Sequence, residues 1–238
     1  AKGAVMMGKC KTEEEARTKS PAFPMICFVT APADYTDFTT GNTIKAGEVD
    51  FSRVHTVNLD EYCGIPGTHD QSYRYFMDTN LFDHINIDKK NTFVASGMGD
   101  FEANARELEE KVREGGAADL QLLGIGNNGH IAFNEASDHL IAVAHTEKLT
   151  ESTINANARF FEKKEDVPTM AIIMGMGDIL AAKKVVLAAT GLAKVPAIRG
   201  LIMDDVITTQ NPSTMLKMHE DAVVVIDREL ADAVGYRA

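Results

Sequence analysis

Cysteines and basic residues are scarce in this chain, and each scarcity argues against a class of protein. The 238 residues include only three cysteines, Cys10, Cys27 and Cys63, which is an odd number without the spacing of a metal site. We therefore expect reduced thiols rather than a disulfide framework or a zinc site. Lys and Arg total 24 against 35 acidic residues, which gives a formal net charge of -11. Because nucleic-acid binding depends on clustered cations, this balance argues against a nucleic-acid partner.

Long apolar runs and cofactor motifs are also missing from the sequence. No segment approaches the roughly twenty apolar residues that a membrane helix needs, and no secretory signal is recognisable at the start. We therefore expect no membrane partner and a cytoplasmic location. No dinucleotide fingerprint and no metal-ligand spacing is found, so neither a cofactor nor a metal is expected. No linker or repeat divides the chain, which predicts a single domain over residues 1–238.

Short apolar runs alternate with helical patterns along the chain. The expected strands are Met25–Thr30, Val54–Asn58, Leu120–Ile125, Ala171–Met174, Val185–Ala189 and Ala222–Ile226. The clearest helix follows Asp100, which can cap it, and stops at Gly115 and Gly116. Alternation of this kind predicts an α/β fold with helices on both faces of a mainly parallel sheet. Right-handed crossovers then place the carboxyl ends of all these strands at one edge, where polar residues from distant segments should meet.

Turn glycines, an imidazole and a carboxylate follow the third expected strand within a few residues. The sequence from Leu123 to Glu135 is Leu-Gly-Ile-Gly-Asn-Asn-Gly-His-Ile-Ala-Phe-Asn-Glu. A strand that ends in such a turn at the carboxyl edge of a sheet is typical of a ligand-binding loop. For an isolated Gly-His pair, the alternative interpretation is a hydrogen-bonded structural histidine beside an ordinary turn.

Two sequence blocks resemble the signatures of the glucosamine-6-phosphate deaminase family. One is Gly-Ile-Gly-x-Asn-Gly-His-Ile-Ala-Phe-Asn-Glu, and the other is Val-Asn-Leu-Asp-Glu-Tyr-Cys-Gly from Val57 to Gly64. Shorter similar segments extend the resemblance over roughly Gly47 to Asp227. The resemblance implies a Rossmann-like three-layer αβα sandwich and a small-molecule sugar phosphate as partner. It also implies an enzyme that converts glucosamine 6-phosphate and water to fructose 6-phosphate and ammonia.

The same resemblance implies a role for each matched residue. His130 would open the sugar ring while Glu135 orients it, and Asp60 would move a proton from C2 to C1. Without the resemblance, Asp60 and Glu61 would be interpreted as a solvated turn after a strand. Asn128 joins the catalytic set, although part of the family has an aspartate there, and an amide cannot raise the basicity of an imidazole by charge.

The elements for phosphate recognition are matched only in part. Arg159 and Lys194 match phosphate ligands of the family, and Gly126 and Ala132 are expected to contact the substrate. Two unrelated surface cations are the alternative interpretation for Arg159 and Lys194. The Gly-Ser-Thr-Pro type loop that follows the first strand in the family is replaced here by Ala31–Thr36. Residues 1–45 therefore depart from the family pattern.

Two other functions stay open at this point. A 6-phosphogluconolactonase would share the fold and a Gly-His motif, but it typically continues with Thr-Ala-Ser rather than Ile-Ala-Phe-Asn-Glu. A sugar-phosphate sensor without turnover would be compatible with the altered first loop and with Asn128. The sequence is compatible with either a monomer or a homo-oligomer.

Overall fold

Nine strands form two sheets in the residues that the structure describes. The computed structural model of the protein describes residues 25–28 and 50–236. Its strands are β1 (Met25–Phe28), β2 (His55–Asn58), β3 (Asp60–Tyr62), β4 (Thr92–Phe93), β5 (Leu120–Leu123), β6 (His145–Lys148), β7 (Met170–Ile173), β8 (Val185–Ala189) and β9 (Ala222–Ile226). Six strands form a sheet in the order β4-β2-β1-β5-β8-β9, and all its neighbouring pairs are parallel. This confirms the predicted α/β class with a mainly parallel sheet.

Helices and short 3-10 turns connect these strands. The described α-helices are α1 (Tyr73–Asn80), α2 (Phe101–Gly115), α3 (Glu151–Asn157), α4 (Met176–Leu180), α5 (Val195–Ile202) and α6 (Arg228–Val234). The 3-10 turns are Phe82–His84, Lys89–Asn91, Ala158–Phe160, Lys164–Asp166, Leu192–Lys194 and Pro212–Met218. Over the described ranges, no helix combines the length and the apolar character that crossing a bilayer requires.

Helix α2 begins and ends where the sequence predicts. The Asp100 carboxylate accepts a hydrogen bond from the backbone N–H of Ala103 at 3.1 Å, so it caps a free donor of the first turn. Ala105, Leu108 and Val112 are buried in the main core, as their helical spacing requires. Gly116 ends the helix at a φ of 72°, a conformation in which a side chain would be strained.

The direction of β7 corrects one prediction. The apolar run Ala171–Met174 was expected to join the parallel sheet, but β7 pairs antiparallel with β3 and β6 in a separate three-stranded sheet. Ile172 packs into the main core, while Ile173 packs into a second cluster with Tyr62 and Phe133. A continuous apolar run therefore indicated burial on two faces correctly, but it does not specify the direction of a strand.

The carboxyl ends of the parallel strands lie at one edge of the main sheet. β5 lies between β1 and β8, so the loop after β5 is next to the segment after β8. The single domain over residues 1–238 stays a prediction. Cys10 and the segment Ala31–Thr36 lie outside the described residues.

Candidate active site

The loop after β5 is folded tightly around the His130 imidazole. The Gly126 N–H donates to the His130 carbonyl at 2.9 Å, and the Gly129 N–H donates to the Gly126 carbonyl at 3.0 Å. A Cβ atom on Gly126 would lie 2.4 Å from Cε1 of His130, far inside any real contact. The imidazole thus occupies the space that a side chain at position 126 would need. Gly126, predicted to bind substrate, is required here to seat the histidine.

His130 and Glu135 form the pair that the motif predicts. His130 Nδ1 lies 3.4 Å from Glu135 Oε2, and the two side chains are 17% and 4% exposed. A carboxylate can only accept a hydrogen bond, so a proton on the imidazole is best placed on Nδ1. Nε2 is then the nitrogen that can exchange a proton with a bound molecule.

The Glu135 carboxylate stays ionised although it is buried. Burial alone would raise its pKa, but the hydrogen bond and charge of His130, together with donors from Thr153 and Asn128, lower the pKa to about 2. Thr153 Oγ1 donates to Oε1 at 2.5 Å, and Asn128 Nδ2 donates to Oε2 at 2.7 Å. The Thr150 backbone N–H lies 3.4 Å from Oε1 as a further, long contact. A buried anion with this many donors is a fixed negative charge beside the imidazole.

Asn128 contacts the pair from the backbone side. Its Oδ1 accepts from the His130 N–H at 3.2 Å while its Nδ2 donates to Glu135. Both ends of the amide are therefore used to hold the loop and the carboxylate in place. This arrangement supports a positioning role for Asn128 within the predicted catalytic set.

Two residues after His130 adopt a backbone conformation that is uncommon for residues with side chains. Ala132 and Phe133 have φ angles of 50° and 52°. The buried Asn134 supports this turn, since its Nδ2 donates to the carbonyls of Ile131 and Met174, each at 3.0 Å. Ala132, predicted to bind substrate, lies in this strained turn directly after the histidine loop. The role of Asn134 was not predicted from the sequence.

Asp60 is buried at the start of β3, with 6% of its surface exposed. It pairs with Ile173 of β7, and the preceding Leu59 carbonyl accepts from the Met174 N–H at 2.7 Å. Because Asn134 bonds to the carbonyl of Met174, the end of β7 joins Asp60 to the histidine loop. Glu61 is also buried, so the interpretation of a solvated turn at Asp60 and Glu61 is wrong.

Glu61 has a structural role. Its carboxylate accepts hydrogen bonds at the beginning of α1 from Ser72 Oγ at 2.7 Å and from the backbone N–H groups of Tyr73 and Arg74, each at 3.1 Å. Burial raises the pKa of this carboxyl, and the hydrogen bonds only partly oppose that effect. The Glu61 carboxyl group thus accepts from free donors of a helix N-terminus and connects β3 to α1.

Lys194 and Arg159 lie close enough for their charges to interact. Lys194 Nζ donates to the Ile125 carbonyl at 2.6 Å, which brings the segment after β8 against the histidine loop. Burial lowers the pKa of Lys194, and the positive charge of Arg159 lowers it further. The Arg159 guanidinium stacks on Phe160, with Cζ 4.6 Å from the ring centre. Because two neighbouring cations repel each other, an anion that binds to both is favourable at this position.

Neither a reactive thiol nor a metal site is found within residues 50–236. The Cys63 thiol is buried, and burial followed by the charge of Glu61 raises its pKa to about 11, which disfavours a nucleophilic thiolate. In this part of the chain, no cluster of three or more His, Cys, Asp or Glu side chains could hold a metal ion.

A cleft adjoins the site at Glu135 and at the supporting residue Asn134. Among the predicted site residues only Glu135 lines it, and His130, Lys194 and Arg159 do not. The other lining residues are Asn134, Ser137, His139, Leu140, Ile141, His145 and Glu147. The titratable pair lies at the His130 imidazole, and Lys194 contacts the loop that carries it, so these groups, unlike most of the cleft, belong to the predicted site.

Comparison with known proteins shows that the similarity extends over most of the chain. Residues 35–225 match the model of the family described as glucosamine-6-phosphate isomerases/6-phosphogluconolactonase. The glucosamine-6-phosphate deaminase of Clostridium beijerinckii is 54% identical over 188 residues, which cover 79% of this chain and 77% of that protein. The deaminase of Shewanella halifaxensis is 49% identical over 194 residues, covering 81% of this chain and 73% of that protein.

Solved structures give the same relationship at the level of the fold. The structure of a monomeric glucosamine-6-phosphate deaminase matches with a TM-score of 0.85 and 34% identity, covering 91% of this chain and 90% of that one. The 6-phosphogluconolactonase of Thermotoga maritima matches with a TM-score of 0.65 and 17% identity over 90% of this chain and 88% of that one, which supports the fold alone. The chain therefore belongs to the glucosamine-6-phosphate isomerase/6-phosphogluconolactonase family.

Proposed function

We propose that this protein is a glucosamine-6-phosphate deaminase, which converts glucosamine 6-phosphate and water to fructose 6-phosphate and ammonia. The observation that carries the proposal is the contact of His130 Nδ1 with the ionised Glu135, which leaves Nε2 available for proton exchange. Relatives about half identical to this chain bear the same name, which supports the substrate class. Residues Arg159 and Lys194 add the charge that a sugar phosphate needs.

The first step that this site would catalyse is opening of the sugar ring. Nε2 of His130 accepts the proton of the anomeric hydroxyl as the bond between C1 and the ring oxygen breaks. The imidazolium then gives a proton to the ring oxygen, so the histidine returns to its starting state. Glu135 stabilises the imidazolium and keeps the ring oriented, and Asn128 holds both by hydrogen bonds.

Asp60 would carry out the second step, the proton transfer between neighbouring carbons. Its carboxylate accepts the C2 proton, which gives an enolamine, and then returns a proton to C1. Water hydrolyses the resulting imine at C2 to the ketone and releases ammonia. The burial of Asp60 supports this role, because proton transfer between carbons needs a site from which bulk water is excluded.

Phosphate binding is the role we propose for Arg159 and Lys194. A dianionic phosphate between the two cations would offset their mutual repulsion and accept charge-assisted hydrogen bonds from both. Backbone contacts from Gly126 and Ala132 would border the sugar beside the imidazole. Arg159→Ala should therefore weaken binding of the phosphorylated sugar by about 1.5–3 kcal/mol, the typical value of a hydrogen bond to a charged group.

One assay separates this proposal from its two alternatives. The protein is incubated with glucosamine 6-phosphate, and ammonia and fructose 6-phosphate are measured; a parallel incubation contains 6-phosphogluconolactone and records its hydrolysis. We expect equal amounts of ammonia and fructose 6-phosphate and no lactone hydrolysis above background. Lactone hydrolysis without ammonia would favour the lactonase, and calorimetric binding of glucosamine 6-phosphate without turnover would favour a sensor. Asp60→Asn serves as the inactive reference, with a loss on the order of a hundred-fold or more.

The same likeness supports a monomeric protein. The 34% identical solved relative is described as monomeric, and it covers nine-tenths of this chain. Light scattering coupled to size exclusion should give a mass near 25.9 kDa for this chain. A mass at twice that value would favour the homo-oligomer, which the sequence also allows.

A further inference from the structure

The hydroxyl of Thr153 lies at the junction of three site groups. Its Oγ1 is 2.5 Å from Glu135 Oε1, 3.1 Å from Thr150 Oγ1 and 3.4 Å from His130 Nδ1. The residue is 3% exposed, so no water competes freely for these positions. Thr153 was not among the residues predicted for the site, although its segment belongs to the matched sequence.

The single hydrogen of the Thr153 hydroxyl limits the hydrogen bonds that this group can make. A hydroxyl carries one hydrogen, and here the ionised Glu135 carboxylate is its strongest acceptor. Thr150 Oγ1 donates to Thr153 Oγ1, so one lone pair is already used. Towards His130, Thr153 can therefore only accept. Nδ1 thus faces two acceptors, Glu135 Oε2 and Thr153 Oγ1, both at 3.4 Å, and both favour the tautomer with hydrogen on Nδ1.

The position of Thr153 in the fold adds a second connection. It lies in the first turn of α3, whose N-cap is Thr150; the Thr150 hydroxyl accepts from the Thr153 N–H at 3.3 Å. The 3-10 turn Ala158–Phe160 continues directly from α3 and carries Arg159. One short segment therefore holds both a donor to the Glu135 carboxylate and a cation proposed for phosphate binding.

We propose that Thr153 is a positioning residue for the His130–Glu135 pair. Its hydroxyl fixes the Glu135 carboxylate and helps to keep the proton on Nδ1, so that Nε2 stays free for the sugar. The part of this proposal that concerns turnover rests on the proposed deaminase function. The part that concerns the tautomer of His130 does not, because it is a property of the protein without substrate.

The experiment compares Thr153→Val, which replaces the hydroxyl by a methyl group, with Thr153→Ser, which keeps the hydroxyl. Thr79→Val is the matched control, since Thr79 is a helical threonine on α1 whose hydroxyl donates only to the backbone of that helix. We expect Thr153→Val to lower kcat about tenfold or more, because the charged carboxylate loses a donor, while KM changes less than about threefold. Thr153→Ser and Thr79→Val should keep kcat within about threefold of the parent.

The tautomer is read by NMR of protein labelled with ¹⁵N-histidine, at about pH 9 where an ordinary imidazole is neutral. We expect a single Nδ1–H form in the parent and in Thr153→Ser, and a mixture with Nε2–H in Thr153→Val. If Thr153→Val fails to fold, kcat and the His130 tautomer are measured in Thr153→Ala instead. An unchanged tautomer and kcat in the valine variant, or equal losses in valine and serine variants, would overturn the proposal. A single Nδ1–H form in the parent that becomes a mixture in Thr153→Val, in a protein whose parent releases no ammonia, would refute the deaminase function and leave the positioning role standing.

Discussion

Glu135 and Asp178 are both carboxyl groups withdrawn from water, but their neighbours drive their pKa values in opposite directions. Burial raises the pKa of each. Around Glu135, the hydrogen bond and charge of His130 and the donors Thr153 and Asn128 outweigh burial and lower the pKa to about 2. Around Asp178 on α4, the negative charge and hydrogen bond of Glu109 add to burial and raise the pKa to about 7. Burial acts in the same direction on both groups, so the difference between their two pKa values comes from the neighbouring groups.

Asp178 and Glu109 form the second pair, and the contacts around them show a structural role. Glu109 on α2 accepts from the Ala144 N–H at 2.7 Å and from Arg113 Nε at 2.6 Å. The backbone N–H groups of Met176 and Gly177 donate to the carbonyls of Ile141 and Ala142, each at 2.9 Å. Glu109 and the backbone at the start of α4 therefore hold the segment 141–144 between two helices. Near neutral pH the pair shares one proton, so Asp178 acts as a hydrogen-bond donor to Glu109.

The largest expected difference between the two carboxylates is in catalysis. Glu135→Gln removes the charge that stabilises the imidazolium, and we expect kcat to fall on the order of a hundred-fold or more. Asp178→Asn is the matched exchange of carboxyl for amide in the other region, and it should keep kcat within about threefold. Steady-state turnover of glucosamine 6-phosphate measures both, with circular dichroism to check folding. Wild-type turnover in Glu135→Gln would remove this carboxylate from the mechanism.

A smaller loss should follow when the imidazole moves while Glu135 stays unchanged. Gly126→Ala places a Cβ atom 2.4 Å from Cε1 of His130, so the ring must shift away from its seat. We expect kcat to fall roughly tenfold or more, since misplacing a reacting group by about 1 Å can cost a factor of a hundred. Gly67→Ala is the control, because its Cβ would meet only the flexible side chain of Arg74, at 3.2 Å. A crystal structure of the alanine variant with an unmoved His130 would contradict the explanation.

The two carboxyl groups should affect stability in different pH ranges. The pKa of Asp178 is higher in the folded chain than its ordinary 3.8, so its contribution is fully present below that value and is lost as pH rises through about 7. The pKa of Glu135 is lower than its ordinary 4.5, so its contribution is present above that value and is lost as pH falls toward about 2.

Urea unfolding at pH 5 and pH 8 tests the first range. We expect the free energy of unfolding to decrease from pH 5 to pH 8 in the parent, and to decrease less in Asp178→Asn, whose amide donates to Glu109 at both pH values. Asp232→Asn makes the same charge change at an exposed position of α6 and should keep the slope of the parent. Equal slopes in the parent and in Asp178→Asn would show that this pair does not hold a proton at pH 5.

The smallest expected effect comes from changing the neighbour of Asp178. Glu109→Gln removes the negative charge that raises the pKa of Asp178, so that pKa should fall toward its ordinary range. The free energy of unfolding should change by only about 1 kcal/mol, since the glutamine carbonyl can still accept from Ala144. Titration of the Asp178 carboxyl by ¹³C NMR measures the shift, and Glu110→Gln, exposed on the same helix, is the control. An Asp178 pKa that stays near 7 would assign the shift to burial alone.

Local signals in the sequence were sufficient to predict helix α2 and the contact between His130 and Glu135. A cap, an apolar stripe and terminal glycines are all close together along the chain, and so are the two members of the proposed catalytic pair. The direction of β7 was not predictable, because an apolar run records burial and not the partner strand. Thr153 and Asp178 were missed for a related reason. Their importance depends on contacts with Glu135 and Glu109, and such contacts leave no periodic pattern in the sequence.

Asn134 connects the site to a segment that lies much later in the chain. Its Nδ2 bonds to the carbonyl of Met174, which is 40 residues further along the chain. The left-handed turn at Ala132 and Phe133 therefore depends on a strand end that is synthesised later and must first pair with β3 and β6. Non-local contacts of this kind form late, because the loop between the two ends must be closed before the bond can stabilise it. A chain in which β7 has not yet joined the fold would possess His130 and Glu135 without the Asn134–Met174 hydrogen bond that supports the turn between them.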